Sequence, residues 1–574
     1  MSKSLKIQII LSVLVILVSF IYGLPNIIMA NKLGSDYNPL VISQKSPIAR
    51  DEAFAYAPFV NYILRGNLFI RDAYVVEYAN YPTPYLGETA PSLVFASLAK
   101  LSGSVENAFI IGDFIFPPMI FLLLYILAGL FIKHKLFALT TAFLTVIARD
   151  FIAVIPYPHE TFQYLTFAEG QNYLLYFSRS FQPQITFIFF VTAILLLIKL
   201  LKNPPNKLVI LALGLVFGLL FYTYVFYWTY FLLAFSFVFL YFLIRKNFVE
   251  VKSLVAVGFL AFLIGSIYLY NTWQFSQLPI ADDFIRKTSL HNLSLPLTLL
   301  RYLTVAFLFA AIAKLRSHES RVLFFVLLAG ISIAPFSRFI IGQDLETFHY
   351  LRRALMPLAT VALFVTIYYL IRSRKTLILL SSLVIFFVFL FLGLRTQVIA
   401  TEKILSAHPK NRSQEAVFYW LKENTPEDSV VGSLDTTFNS LVPVYTKNYV
   451  YFPPTDRTIA PTVEGVERYA ILSKLLGADI NWQKNNLDEI LSYLFVYQAY
   501  DDQNNLDFNS PKRLQAEAQI DKIAGNNTEK EIEKFKLDYV VVTPEHLPIV
   551  RPNLKFLKPL TSIDGFVIFQ IDYK

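Results

Sequence analysis

In the stretch "SPIARDEAFAYAPF" two adjacent carboxylates, Asp51 and Glu52, stand among tyrosines and phenylalanines. Farther along, "DLETFHYLRRALMP" gathers Glu346, His349, Arg352 and Arg353, and "YLLYFSRSFQPQITF" carries Arg179 between aromatic residues. A carboxylate in such a place can take a proton from a reacting group or orient it. Paired arginines grip a phosphate through parallel N–H bonds in a way that a lone lysine cannot. As a helix, the second stretch sets Glu346, His349 and Arg353 on one face, because offsets of three and seven residues return to nearly the same direction. Each motif also has a plainer reading. Carboxylates cap helix N-termini, an interfacial arginine anchors a helix end, and the Glu–His–Arg cluster can be a network of structural salt bridges, which Arg338 could join. A further set, Asp150 with His159 and Glu160 of "PYPHET", would form an oxygen-rich site for a divalent cation (Mg or Mn) with Asp51 if the two segments meet.

The elements that must position these charges are mostly apolar. Of 574 residues, 55% are hydrophobic and only 16% charged, with 54 Phe and 34 Tyr, which is the balance of an integral membrane protein and not of a soluble globular one. Apolar runs able to cross roughly 30 Å of hydrocarbon recur up to about residue 396. They predict about eleven transmembrane helices, near 7–24, 112–132, 136–155, 184–201, 207–224, 225–244, 253–271, 295–313, 321–341, 355–371 and 376–396. The first follows a basic start, as a signal peptide would, but its length and the lack of a nearby small-x-small cleavage site make it a retained helix. The turn near residue 224 must be tight, since "FGLLFYTYVFYWTYFLL" has no polar break. If the N-terminus is cytoplasmic, the inside loops carry sixteen basic residues, among them Lys133 and Lys135, Lys199 and Lys202, Arg245 and Lys246, and Arg372 and Arg374, against only Glu250 and Glu319. That is a strong positive-inside pattern. Those loops account for the net charge of +9, so it is no sign of a nucleic-acid partner. The chain has no cysteine and therefore no disulfide framework, thiol nucleophile or thiolate metal site.

An odd number of spans puts Asp51, Glu52 and the C-terminus on the outer face. Three outer loops hold the unusual polar residues: a long first loop over 25–110, a second over 149–183, and the one beginning at Arg338. Charge in or beside a membrane is costly and marks function by default. In the first loop, Phe54, Ala57, Tyr62, Leu64 and Phe69 recur at helical spacing, which predicts an amphipathic helix along the membrane surface from Asp51 to Leu68. The pair Asp282-Asp283 of "TWQFSQLPIADDF" reads as solvated surface.

This pattern resembles the GT-C superfamily of membrane glycosyltransferases, the polyprenyl-phosphate-sugar-dependent enzymes that include protein mannosyltransferases and aminoarabinose transferases. In that family a first span leads into an outer loop with an acidic pair near its start, here Asp51-Glu52, followed by an interfacial helix. The later "GETAPSLVFASLAKLSG" is similar to the family's glutamate shortly before P-x-L, with Glu88 and Pro91 in place; Thr89-Ala90 replace the basic residue and double proline common in relatives. The resemblance covers residues 1–396 in topology and implies a GT-C-like polytopic helical bundle. It implies transfer of a hexosyl or pentosyl group from a lipid-linked sugar donor to a glycan, lipid or protein acceptor. Asp51 would be the catalytic carboxylate helped by Glu52, and Glu88 would bind acceptor or sugar. Arg179, His349, Arg352 and Arg353 would hold the lipid phosphate, with Glu346 orienting one of them.

After about residue 398 the composition turns ordinary, so residues 1–398 read as the membrane domain and 399–574 as a soluble extracytoplasmic α/β domain. There "NRSQEAVFYWLKENTPEDSVVGSLD" predicts a helix over 413–424 and a strand over 429–432, and "KLDYVVVTPEH" and "DGFVIFQID" predict two buried strands of a small mixed sheet. Helices are expected near 463–477, 485–499 and 513–524. The hydroxylated, aromatic "VYFPPTDRTIAPTVEGVERY" offers a contact surface, against a plain structural role. The whole reads as a multi-pass protein of the plasma membrane, its N-terminus cytoplasmic. A transporter or lipid-linked-glycan flippase is the alternative, and an inactive GT-C-like polysaccharide-assembly protein is a third. A transporter would want charge deep in the spans, and no internal repeat of the transporter kind is present.

Overall fold

A computed structural model of the protein describes residues 3–40, 56–148, 174–202, 205–288, 298–341, 349–454, 457–495 and 511–572. Asp51, Glu52, Asp150, His159, Glu160 and Glu346 lie outside them, and so does the first turn of the helix expected from Asp51. The chain divides into two compact units. One comprises Met1–Pro39, Ser97–Tyr268 and His291–His408, and the other Leu40–Ala96, Leu269–Leu290 and Pro409–Lys574.

The first unit is a bundle of apolar helices, as the hydropathy pattern demands. Helices stand at all eleven expected positions: Lys3–Leu33, Val105–Gly129, Lys135–Ile147, Thr186–Lys202, Lys207–Leu220, Val225–Ile244, Phe248–Ser276, Thr298–Ala313, His318–Ile341, Met356–Ile371 and Lys375–Ile404. Among the described residues, seven helices are long and apolar enough to cross a membrane, which makes this a multi-pass membrane protein. Lys135–Ile147, Lys207–Leu220 and Leu299–Ala313 are shorter apolar helices. The helix expected over 136–155 stops at Ile147, because Ala148 is extended at φ −77° and ψ 113°. Small residues bring helices close: a Cβ on Gly214 or Gly218 would lie 2.7 or 2.6 Å from the Cβ of Leu260 or Ile264. With no hydrophobic drive between helices in lipid, such close backbone approach is what holds them together.

Two ends of the bundle are tied at His408. Its Nδ1 lies 2.8 Å from the Asn38 carbonyl, and the Asn38 N–H donates to the His408 carbonyl at 2.9 Å. Burial pushes the His408 imidazole below its usual range. Its folded form therefore binds fewer protons than its unfolded form, and the stability it contributes is present above about pH 6.5 and declines as pH falls toward the lowered value. The expected result is a thermal midpoint that drops on acidification below pH ~6.5 and does so less in His408→Asn, which keeps an N–H donor; an equal drop in both would contradict this.

The second unit is built on a mixed sheet of β1 (Val430–Gly432), β2 (Tyr449–Val450), β3 (Tyr539–Val542), β4 (Leu557–Ile563) and β5 (Phe566–Ile571), in the order β2-β1-β3-β5-β4. β1 pairs in parallel with β2 and β3, and β5 runs antiparallel to β3 and β4. Asp564 and Gly565 both take positive φ, 46° and 86°, the two left-handed residues that a tight β4–β5 hairpin needs. The expected helices appear as Arg412–Asn424, Thr462–Leu475, Leu487–Phe495 and Pro511–Gly525. Val430, Tyr451, Leu472, Leu475, Val540 and Phe569 lie in one buried core.

Three expectations change here. In the helix of the first loop, Ala57–Leu64, the side chains of Ala57, Phe59, Val60 and Tyr62 are buried in protein, while Leu64, Leu68 and Phe69 stay exposed. Asn61 instead donates to the carbonyls of Pro443 and Thr446, each at 2.9 Å, groups that the end of the helix Thr436–Tyr445 leaves unsatisfied. Much of the stretch proposed as a contact surface is interior, with Tyr451, Phe452, Thr458, Ile459, Arg468 and Tyr469 fully buried, while Val463 is exposed. Asp283 is not simply solvated surface, since its carboxylate accepts from the Thr462 N–H at 2.9 Å and caps the helix that starts there.

Asp72 is the buried hinge pin of this unit. One carboxylate oxygen accepts from the Tyr74 and Val75 N–H groups, and the other from the Thr458 hydroxyl at 2.6 Å and the Ile459 N–H at 2.9 Å. Asp72→Ala strands four buried donors, each costing roughly 1–3 kcal/mol when unpaired. The expected loss is about 3 kcal/mol or more in the unit's opening free energy, read by amide hydrogen exchange of β1 and β3; a change below about 1 kcal/mol would show the donors find other partners.

Candidate functional site

The cationic cluster of the first unit grows from a local pattern in the sequence. Arg179 and Arg353 each stand four residues before a proline, Pro183 and Pro357. Proline has no N–H, so in each case the arginine carbonyl loses its ordinary helical partner. The chain responds with a π-type turn, over Ser180–Ile185 in one case and His349–Leu355 in the other. In the first, the Gln184 N–H donates to the Arg179 carbonyl at 3.3 Å. In the second, the Tyr227 hydroxyl fills the place of the missing N–H and donates to the Arg353 carbonyl at 2.8 Å. Such widened turns within helices occur often at functional sites.

Arg353 is buried, only 6% exposed. Its Nη1 donates to the Tyr224 hydroxyl at 2.6 Å and to Gln182 Oε1 at 3.2 Å. The guanidinium carbon also lies 5.5 Å from the centre of the Tyr224 ring, a cation–π contact. Both of these partners are neutral groups, and they fix the direction of the guanidinium. The Tyr224 hydroxyl is in turn 2.9 Å from His349 Nδ1. Phe226 packs edge-on against the His349 ring at 4.7 Å, and Thr229 and Tyr350 share a hydrogen bond of 2.8 Å below it. His349 and Arg353 are thus brought together, as their spacing predicted, through a tyrosine that the spacing did not reveal. Arg352 stands half-exposed on the same turn, and Arg179 half-buried at the head of the turn that carries Gln182.

Tyr224 owes its place to the tight turn between Lys207–Leu220 and Val225–Ile244. Phe221, Tyr222 and Thr223 donate their N–H groups to Gly218, Leu219 and Leu220, and the Thr223 hydroxyl adds a bond to the Leu220 carbonyl at 2.8 Å. Tyr224 then follows in extended conformation at φ −166° and ψ 127°. The hydroxyls of "FYTY" between two apolar runs were the available signal for both the turn and its function.

A second polar group, also absent from the sequence reading, adjoins the same turn. Asp113 lies within the apolar helix Val105–Gly129. Its two oxygens accept from Gln184 Nε2 at 2.7 Å and Asn26 Nδ2 at 2.8 Å, and Tyr37 donates to Asn26 Oδ1 at 2.5 Å. An aspartate inside "FIIGDFIFPP" was the signal. Gln397, fully buried, accepts from the Leu175 N–H at 2.9 Å and donates to Ser178 Oγ and the Ile21 carbonyl, both at 3.1 Å. The segment 175–184 is therefore pinned by glutamine side chains within the bundle.

Glu88 belongs to the second unit, half-buried at the end of the short helical turn Pro84–Glu88 and directly before the helix Thr89–Ser102. Its carbonyl accepts from Ser92 Oγ at 2.7 Å. Asp51 and Glu52, the metal set of Asp51, Asp150, His159 and Glu160, and the orienting Glu346 fall outside the described residues. Among the described residues no three histidine or carboxylate side chains cluster as metal ligands would.

No family model matches the sequence, and no curated protein matches it. Among solved structures, the chain is similar to the crystal structure of ArnT from Cupriavidus metallidurans bound to undecaprenyl phosphate, at 10% identity and a TM-score of 0.50 over 96% of this chain and 97% of that one. The same protein in its apo state aligns at 10% identity and a TM-score of 0.48 over 100% and 99%. The Archaeoglobus fulgidus oligosaccharyltransferase in its apo form gives 12% identity and a TM-score of 0.44 over 92% of this chain and 69% of that one. The first likeness runs almost the full length of both chains and is one of fold: this chain has the GT-C architecture, a polytopic helical bundle with a C-terminal α/β part.

Proposed function

We propose that this protein is a membrane glycosyltransferase that moves a sugar from a polyprenyl-phosphate donor to an acceptor at the outer face of the membrane. The observation that carries this reading is the buried Arg353, linked through Tyr224 to His349 in a bundle of GT-C architecture. A planar guanidinium fixed within an apolar bundle is suited to bind an anion through parallel N–H bonds. The phosphate of a lipid-linked sugar supplies one at the depth where a polyprenyl chain enters the bilayer. ArnT, whose fold the chain shares, has been crystallised with undecaprenyl phosphate.

In this mechanism Arg353 and Arg352 grip the phosphate oxygens, and Arg179 and His349 add charge and an N–H donor. An acceptor hydroxyl or amine attacks the anomeric carbon. The new bond to that carbon forms as the carbon–oxygen bond to the phosphate breaks, and polyprenyl phosphate leaves. Asp51, with Glu52 beside it, takes the acceptor's proton, while the arginines stabilise the charge gathering on the departing phosphate. Glu88 binds acceptor or sugar. A divalent cation, Mg or Mn, held by Asp51, Asp150, His159 and Glu160 would add charge at the same place, and no step here depends on it. The sugar is a hexose or pentose and the acceptor a glycan, lipid or protein. We assign the C-terminal part of the second unit, on the outer side, to acceptor recognition or scaffolding.

The test is product balance with purified protein in lipid nanodiscs. A polyprenyl-phosphate sugar should be consumed with release of one polyprenyl phosphate per sugar transferred or hydrolysed, followed by mass spectrometry. Intact donor across a panel of such sugars and acceptors would refute the reading.

A further inference from the structure

Gln182 and Gln184 lie two residues apart in one π-type turn, and their side chains reach opposite charges. Gln182 Oε1 accepts from Arg353 at 3.2 Å. Gln184 Nε2 donates to Asp113 Oδ1 at 2.7 Å. The turn itself is loosely bonded along its backbone, because Pro183 supplies no N–H. Its side chains must therefore fix it. Gln182 and Gln184 are 2% and 0% exposed, and with Gln184 Oε1 unpartnered the bond to Asp113 is what sets the direction of that amide.

We infer that Asp113 is a positioning residue for the phosphate site: by holding Gln184 and Asn26 it locks the turn that presents Gln182 to Arg353. The inference rests on the reading of Arg353 as a phosphate ligand. Both Asp113 oxygens face amide N–H₂ groups, one from Gln184 and one from Asn26 at 2.8 Å. A carboxylate offers an acceptor at both positions and makes both bonds charge-assisted. Asn26 is held in that orientation, since its own oxygen takes the Tyr37 hydroxyl at 2.5 Å. An aspartate also costs more than a leucine in an apolar helix, and this arrangement gives the reason for its presence.

The geometry prescribes a reversal. Asp113→Asn replaces the charge-assisted contact to Gln184 by at best a neutral one, made if the Gln184 amide turns over so that its unpartnered Oε1 accepts. Adding Gln184→Glu restores it with the direction exchanged, the new amide at 113 donating to the new carboxylate at 184 while its oxygen still accepts from Asn26. The experiment measures binding of a long-chain polyprenyl monophosphate to the full chain in nanodiscs, with the thermal midpoint of each variant. Asp113→Asn should weaken binding about tenfold or more, on the order of one charge-assisted hydrogen bond, and the double variant should return to within about threefold of wild type.

A merely structural role would move the midpoint and leave the affinity of the folded protein unchanged. If Asp113→Asn is too unstable to assay, the double variant carries the test: recovery of the midpoint without recovery of binding overturns the inference, and recovery of both supports it. Equal binding by wild type and a folded Asp113→Asn also overturns it, with the phosphate reading left standing. If the wild type binds no polyprenyl phosphate, that reading falls and this inference falls with it.

Discussion

Arg353→Ala should lower sugar transfer from a polyprenyl-phosphate donor by roughly 10²–10³-fold, the range seen when one preorganised donor to a developing negative charge is removed. Arg353 is fixed in place by Tyr224, Gln182 and the bond from Tyr227 to its carbonyl. That preorganisation is why its loss should be felt in kcat and not only in donor binding, since no reorganisation is needed as the phosphate charge develops. Arg353→Lys should be nearly as harmful, because an ammonium cannot reach Tyr224 and Gln182 and still present a planar fork to phosphate. Tyr224→Phe keeps the ring under the guanidinium and removes only the hydroxyl that joins it to His349, so a smaller loss, about tenfold, is expected. Steady-state kinetics with thermal midpoints as the folding control decide this. An Arg353→Ala protein that is folded and within a few-fold of wild type would remove Arg353 from the site.

Asp51→Asn should reduce turnover by about a hundredfold or more, the usual cost of losing a positioned general base. Donor binding should change little, since the acceptor's proton and not the lipid phosphate is what Asp51 meets. Glu52→Gln should cost less, as befits a helper. The pair of measurements separates two errors: if Asp51→Asn transfers as well as wild type, the enzyme class survives and the base lies elsewhere, whereas loss of donor binding in Asp51→Asn would place this carboxylate at the phosphate or a metal.

The bundle was legible in the sequence because bilayer-spanning helices are written in hydrophobic length, which needs no knowledge of neighbours. The strands at 430–432, 539–542 and 566–571 were legible for a similar reason: short runs of valine and aromatic residues bounded by turn formers. The helix Ala57–Leu64 was legible as a helix but not in its surroundings. Apolar spacing shows that a face is covered, and whether lipid or the helix Thr436–Tyr445 covers it is decided by Asn61 and Arg65, whose partners lie more than 360 residues away. The same holds for the run 451–470. Its hydroxyls suggested a surface, but Thr458 is turned inward by the buried Asp72.

At the candidate site, His349 and Arg353 followed from spacing alone. Tyr224, Gln182 and Asp113 did not, because each acts through a partner on another helix, and a single polar residue in an apolar run says only that some partner exists. The recurring arginine four residues before a proline was the one local sign that the two turns belong to the same construction.

The decisive measurement is transfer of radiolabelled sugar from a panel of polyprenyl-phosphate sugars in proteoliposomes, run beside a flux assay for the same lipids. The expected result is a donor whose label moves to acceptor or water in wild type and fails to do so in Arg352→Ala/Arg353→Ala. No donor consumed, together with labelled lipid or solute crossing the bilayer, would show a transporter with the GT-C architecture instead.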